Sequence, residues 1–191
     1  MDAPEEILLN GNDRAEGHAF YRLGNLEVSD DHRFVAIAED TVSRGQHEVR
    51  IIDTHDGSLL PEVIENASSS LAWSKCGEYL FYLLKHPDTL LAYRVMRHRL
   101  GTDPTEDKLV YEEQDNTFYN ALWRSRSGKY IMLGHHSTDT TEVQLLCADE
   151  PLSRFNPFLP RVTGHEYDID HANGRFFIRT NWQARNFRVM T

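Results

Sequence analysis

The chain is poor in cysteine, proline and positive charge, and it has no long apolar run. Its two cysteines, Cys76 and Cys147, lack metal-type spacing and are expected as reduced buried or turn thiols of a cytosolic protein. Seven prolines and 40% hydrophobic residues are ordinary for a folded chain of 191 residues, long enough for one sizeable core. No segment approaches 18 consecutive apolar residues, so no membrane-spanning helix is expected. The start, Met1-Asp2-Ala3-Pro4-Glu5-Glu6, is acidic and lacks the apolar stretch of a signal peptide, which points to the cytoplasm. Lys and Arg number 20 against 30 Asp and Glu, a net charge of −10. That balance argues against nucleic acid or a membrane surface as partner. It suits cationic partners, although many cytosolic proteins are as acidic.

Catalytic signatures are missing as well. There is no Gly-x-Ser-x-Gly elbow and no Gly-rich phosphate loop. His47-Glu48 and His165-Glu166 lack a second histidine four residues on, so no His-Glu-x-x-His zinc site exists. Of the ten histidines, the adjacent His135 and His136 point to opposite faces of a strand and do not share an ion. His165 and His171 flank a predicted strand and approach only through folding. Each histidine reads as a surface or hydrogen-bonded loop residue, and no metal or cofactor is expected. Asp30-Asp31 and Glu112-Glu113 read as solvated charges at turns or strand ends. Asn66-Ala67-Ser68 is a glycosylation sequon, without meaning in the absence of a secretory signal.

What the chain does contain is repetition. Four segments lead from an apolar residue through a polar turn to a small or polar residue, any residue, and an aromatic that opens an apolar strand. They are Leu26 to Phe34, Leu71 to Tyr79, Leu122 to Tyr130 and Tyr167 to Phe176. The aromatics Phe34, Tyr79, Tyr130 and Phe176 stand 45, 51 and 46 residues apart, the length of one four-stranded propeller blade. A second register keeps the same period. Valine-centred strands at Val49, Val95, Val143 and Val189 follow each aromatic strand, with polar loops between. A fourth strand is expected at Ser58 to Ile64, after the turn Asp56-Gly57, and again at Lys108 to Glu112. Trp73, Trp123, Tyr79 and Tyr130 recur at equivalent places and read as core packing. Two registers with one period favour a propeller over a β-sandwich.

The fold expected is therefore all-β, an open arc of about four antiparallel four-stranded blades. The repeats run over residues 22–66, 67–116, 117–164 and a truncated 165–191. Residues 1–21 supply a strand of a preceding blade or a lead-in segment. Glu6-Ile7-Leu8-Leu9 looks like a strand without a partner, and Asn186 to Thr191 finishes in mid-register, as in a piece of a longer protein. Such an arc leaves blade faces uncovered, with Leu8, Leu9, Phe177, Ile178 and Val189 as candidates for self-association.

Several stretches resemble the oligopeptidase B (protease II) branch of the prolyl oligopeptidase family of S9-type serine peptidases. They are Ala36-Ile37-Ala38-Glu39-Asp40 with Ser43-Arg44, Lys85 to Leu91, Tyr93 to His98 with Gly101-Thr102, Asp107 to Glu113, His165-Glu166-Tyr167 with Asp170-His171, and Arg175-Phe176, in that order. The resemblance runs from about Glu5 to the end. It implies part of a seven-bladed propeller that limits substrate size for an α/β-hydrolase domain cutting short peptides after Arg or Lys. The family's catalytic Ser, Asp and His belong to that hydrolase domain, so none is assigned here, and the chain alone is expected to be inactive. Partners implied are short basic peptides and the hydrolase domain. Relatives often carry two arginines in the loop Ser43-Arg44-Gly45-Gln46, and only Arg44 matches. The resemblance implies for it a contact to a peptide carboxylate. A different class of function, a stand-alone propeller interaction module, is distinguished by whether a longer reading frame encodes Gly-x-Ser-x-Gly.

Overall fold

In the computed structural model, which describes residues 6–191, three of the four repeated segments close with the same turn. The N–H of Ser29 donates to the carbonyl of Phe34, and the N–H of Phe34 donates back to Ser29 Oγ. Ser74 with Tyr79 and Ser125 with Tyr130 are bonded in the same way. The third residue after each serine is left-handed: His32 at φ 62°, Gly77 at 73° and Gly128 at 68°. The turn thus needs a serine at its start and favours glycine near its end. The fourth repeat uses Asn173-Gly174, both at positive φ, as a two-residue hairpin demands.

The strands, all antiparallel, are β1 (Arg22–Val28), β2 (Phe34–Asp40), β3 (His47–Asp53), β4 (Ile64–Trp73), β5 (Tyr79–Lys85), β6 (Ala92–Arg99), β7 (Lys108–Glu112), β8 (Tyr119–Arg124), β9 (Tyr130–His136), β10 (Thr141–Cys147), β11 (Asn156–Pro157), β12 (Tyr167–Ala172), β13 (Arg175–Thr180) and β14 (Arg188–Met190). The aromatics open β2, β5 and β9 and lie second in β13, and the four valines sit in β3, β6, β10 and β14. Hydrogen bonding joins β1 to β7 in sequence order, β8 to β11 in a second sheet and β12 to β14 in a third. β4 is shared: Ile64 and Ala67 pair with β3, and Ala67 with Leu71 to Trp73 pair with β5. The register shifts between Ala67 and Leu71, just after Asn66 at φ 57°.

Two expected strands are corrected. Ser58 to Ile64 is a loop with one bridge, Leu59 to Ile52, and the strand begins only at Ile64. Pro61 has no N–H for a ladder, and Glu62 turns away to accept from the N–H of Gly101. Glu6 to Leu9 forms no strand. Instead Leu9 packs against Val35, Ile37 and Ile52, and Asn10 caps a short helix α1 (Gly11–Ala15) by accepting from Asn12 N–H.

The middle strands are buried on both faces, and alternate residues enter different cores. On β2, Ala36 and Ala38 join β4 and β5 residues including Trp73 and Leu80, while Ile37 faces the Leu9 side. On β5, Leu80 and Tyr82 share that first core, and Phe81 and Leu83 meet Leu122, Ile131 and Leu133 of the next layer. Met132 of β9 then meets Tyr167 and Ile169, with Phe176 and Ile178 packed on them. The result is a series of curled antiparallel sheets stacked face to face. The series stops at β13 and β14, where Phe177 and Val189 are exposed, as is Leu8 at the other end; Leu9 and Ile178 are partly buried.

Candidate functional site

Arg44 lies in the loop between β2 and β3, and its side chain is exposed. The loop is shaped by Asp40, the last residue of β2, whose carboxylate accepts from Val42 N–H at 2.9 Å and Gly45 N–H at 2.7 Å. Burial pushes the Asp40 carboxyl up, but the N–H groups of Val42, Gly45, Arg44 and Ser43 outweigh it and hold its pKa below the ordinary value. Ser43 and Gly45 take left-handed φ to close the curl.

Charged groups sit at the junctions between layers near this end of the sheets. Glu39 is buried beside the loop and accepts from Arg14 and from Tyr21 Oη, the latter at 2.8 Å. Farther along the stack, Arg161 bridges Glu113 and Glu142, at 2.6 and 2.9 Å, and its guanidinium lies 3.9 Å from the ring centre of Phe118. His135 Nδ1 donates to Asn120 Oδ1 at 2.6 Å and lies 3.2 Å from Glu113. Burial lowers the His135 pKa to about 4, against the pull of Glu113 and Glu142, so the imidazole is neutral. Glu113 is therefore no solvated edge charge. Arg161 stands 48 residues away in sequence, and no local spacing announces the pairing.

The expectation for the histidines holds for His18, His32 and His55, which are exposed, and is corrected for His47, His98, His135 and His171, which are buried within strands. His165 is buried as well. His98 donates through Nδ1 to Asp107 at 2.8 Å, and Asp107 also accepts from Tyr82 Oη at 2.9 Å. His165 bonds Thr180 and His171 bonds Ser127, so the two are not brought to one site. The Ser127–His171 contact, 2.7 Å to Nδ1, is a serine–histidine pair, but no carboxylate bonds the His171 ring among the described residues. An orienting acid and an oxyanion site are both needed for acyl transfer. Among the described residues no group of three or more His, Cys, Asp or Glu side chains could hold a metal ion, and no helix is long and apolar enough to cross a membrane. Cys76 and Cys147 are free thiols.

Repeats 45 to 51 residues apart, folded into a face-to-face stack of antiparallel sheets, are the pattern of a propeller domain. The sequence model of the prolyl oligopeptidase N-terminal beta-propeller domain matches residues 1–191. The chain belongs to that family. Among curated proteins it is 42% identical to dipeptidyl aminopeptidase BI of Pseudoxanthomonas mexicana, over 99% of this chain and 26% of the relative. It is 32% identical to protease 2 of Moraxella lacunata, over 100% of this chain and 28% of the relative. Among solved structures, oligopeptidase B from Leishmania major superimposes with a TM-score of 0.89 at 25% identity, over 97% of this chain and 26% of that one. The chain thus spans about a quarter of the length of these prolyl oligopeptidase relatives.

Proposed function

We propose that this chain is the part of a seven-bladed propeller that serves a cytoplasmic serine oligopeptidase as gate and scaffold. The blades are residues 22–66, 67–116, 117–164 and the partial 165–191, with β4 passing from the first to the second at Asn66. The parent enzyme cleaves short peptides after Arg or Lys, using a hydrolase domain that supplies the Ser, Asp and His. The family match along all 191 residues, with oligopeptidase B among the structural relatives, carries the reading. The chain's net charge of −10 favours the approach of basic peptides over that of anionic ligands. Arg44, exposed on an ordered loop, contacts a substrate carboxylate. Neither nucleic acid nor membrane is a partner. Taken alone, the chain self-associates through the exposed face of β13 and β14.

A second reading has its own support, since the 42% identical relative is named a dipeptidyl aminopeptidase. Assay of the complete protein separates the two. An N-blocked peptide with Arg or Lys before a fluorophore is expected to be cleaved. Cleavage confined to dipeptide substrates with a free amine would establish the second reading, and cleavage of neither would overturn peptidase function.

A further inference from the structure

Lys85 is the last residue of β5 and stands at an irregularity in the pairing with β6. Its Nζ reaches across to the neighbouring layer and donates to the carbonyl of Gly45 at 2.8 Å. Gly45 is therefore held from both sides: its N–H donates to Asp40 and its carbonyl accepts from Lys85. A side chain at this position would be strained. Gly45 has φ of 61°, and a β-carbon there would stand 3.2 Å from Lys85 Nζ. The Lys85 stem is partly buried and its charge lies in the field of Asp40. The anion that curls the loop thus also attracts the cation that braces it, while Arg44, the residue before Gly45, projects into solvent.

We propose that Lys85 is a positioning residue for Arg44, a strut from one layer that fixes the loop of the next. The inference rests on the reading of Arg44 as a carboxylate contact. A guanidinium on a loop free to move loses ordering entropy on every encounter, whereas one on a braced loop has already lost it. Methionine at position 85 keeps the stem and removes the donor. Arginine keeps a cationic donor.

The test uses the isotope-labelled chain, with the thermal midpoint of each variant as a control for folding. The probe is tri-alanine with a free carboxylate, against the same peptide as its amide. The wild-type chain is expected to bind the acid and not the amide, with amide shifts at Ser43 to Gly45. Arg44→Met should abolish that binding and leave the hydrogen exchange of the loop unchanged. Lys85→Met should speed exchange at Arg44 and Gly45 about tenfold, the loss expected for one charged hydrogen bond, and weaken binding several-fold. Lys85→Arg should restore protection. Wild-type exchange in Lys85→Met would overturn the role of Lys85 alone, as would faster exchange with undiminished binding. Absence of carboxylate-dependent binding in the wild type, or its survival in Arg44→Met, would overturn the reading of Arg44 and with it the presentation role of Lys85.

Discussion

The indole of Trp123 occupies the space that a β-carbon on Gly134 would need. Two of its ring carbons lie 2.7 and 2.8 Å from that position, and His136 Nε2 lies 2.9 Å away. Gly134 faces Ala121 across the β8–β9 ladder, so Trp123, two residues on, packs diagonally over the bare backbone. Gly134→Ala should lower stability by about 1–3 kcal/mol, the range for overpacking a filled site. Urea unfolding followed by tryptophan fluorescence measures it, and an unchanged midpoint would show that the ring yields freely.

The serine turns make a second expectation. Removing Ser74 Oγ leaves the N–H of Tyr79 without its side-chain partner at the mouth of β5. Ser74→Ala should cost about 1 kcal/mol, and Ser125→Ala a similar amount because Tyr130 N–H is bonded in the same way. Thermal melts of the two variants should shift together. A large loss in one and none in the other would break the equivalence of the turns.

These turns show how the sequence could be read, and where it could not. Phe34, Tyr79 and Tyr130 open strands because the turn before each is written locally, in a serine and a left-handed fourth residue. The both-faces burial of β2, β5 and β9 likewise appears as apolar runs such as Leu80 to Leu84. The junctions were opaque. Glu113 looks like a surface charge beside Glu112, and only folding brings Arg161 and His135 to it. Lys85 and Gly45 are 40 residues apart and belong to different layers. Even Ser58 to Ile64, apolar in part, lost its strand to Pro61 and to the turn of Glu62 toward Gly101.

The Glu113 junction predicts an acid response with a definite sign. His135 binds its proton only near pH 4 in the folded chain, against 6.5 ordinarily. Its contribution to stability is complete above about pH 6.5 and is lost as pH falls toward 4, because the unfolded chain takes up the proton first. Burial raises the Glu113 pKa, but Arg161 outweighs it and holds the carboxyl below its ordinary value. The stability from Glu113 is therefore kept above that value and lost on further acidification. The urea midpoint should fall between pH 7 and pH 5, and fall less in His135→Gln. An identical pH dependence in the variant would contradict the assignment.

The far end of the stack predicts association. Trp182, Met190 and Val162 border an apolar cavity of about 350 Å³ beside the exposed Val189. Uncovered sheet faces of this kind pair with other copies. Sedimentation should show a dimer or larger species at high concentration, reduced in Trp182→Ser. A clean monomer throughout would count against this surface.

The central claim, that these residues scaffold a serine peptidase whose chemistry lies elsewhere in the protein, is tested most directly by active-site labelling. A fluorophosphonate probe should be applied to the complete protein and to the 191-residue chain, and the modified serine located by peptide mapping. The account predicts one labelled serine in the complete protein, within a Gly-x-Ser-x-Gly segment outside residues 1–191, and no labelling of the chain alone. Labelling of Ser127 or any other serine of the chain, or a complete protein that takes up no probe, would contradict it.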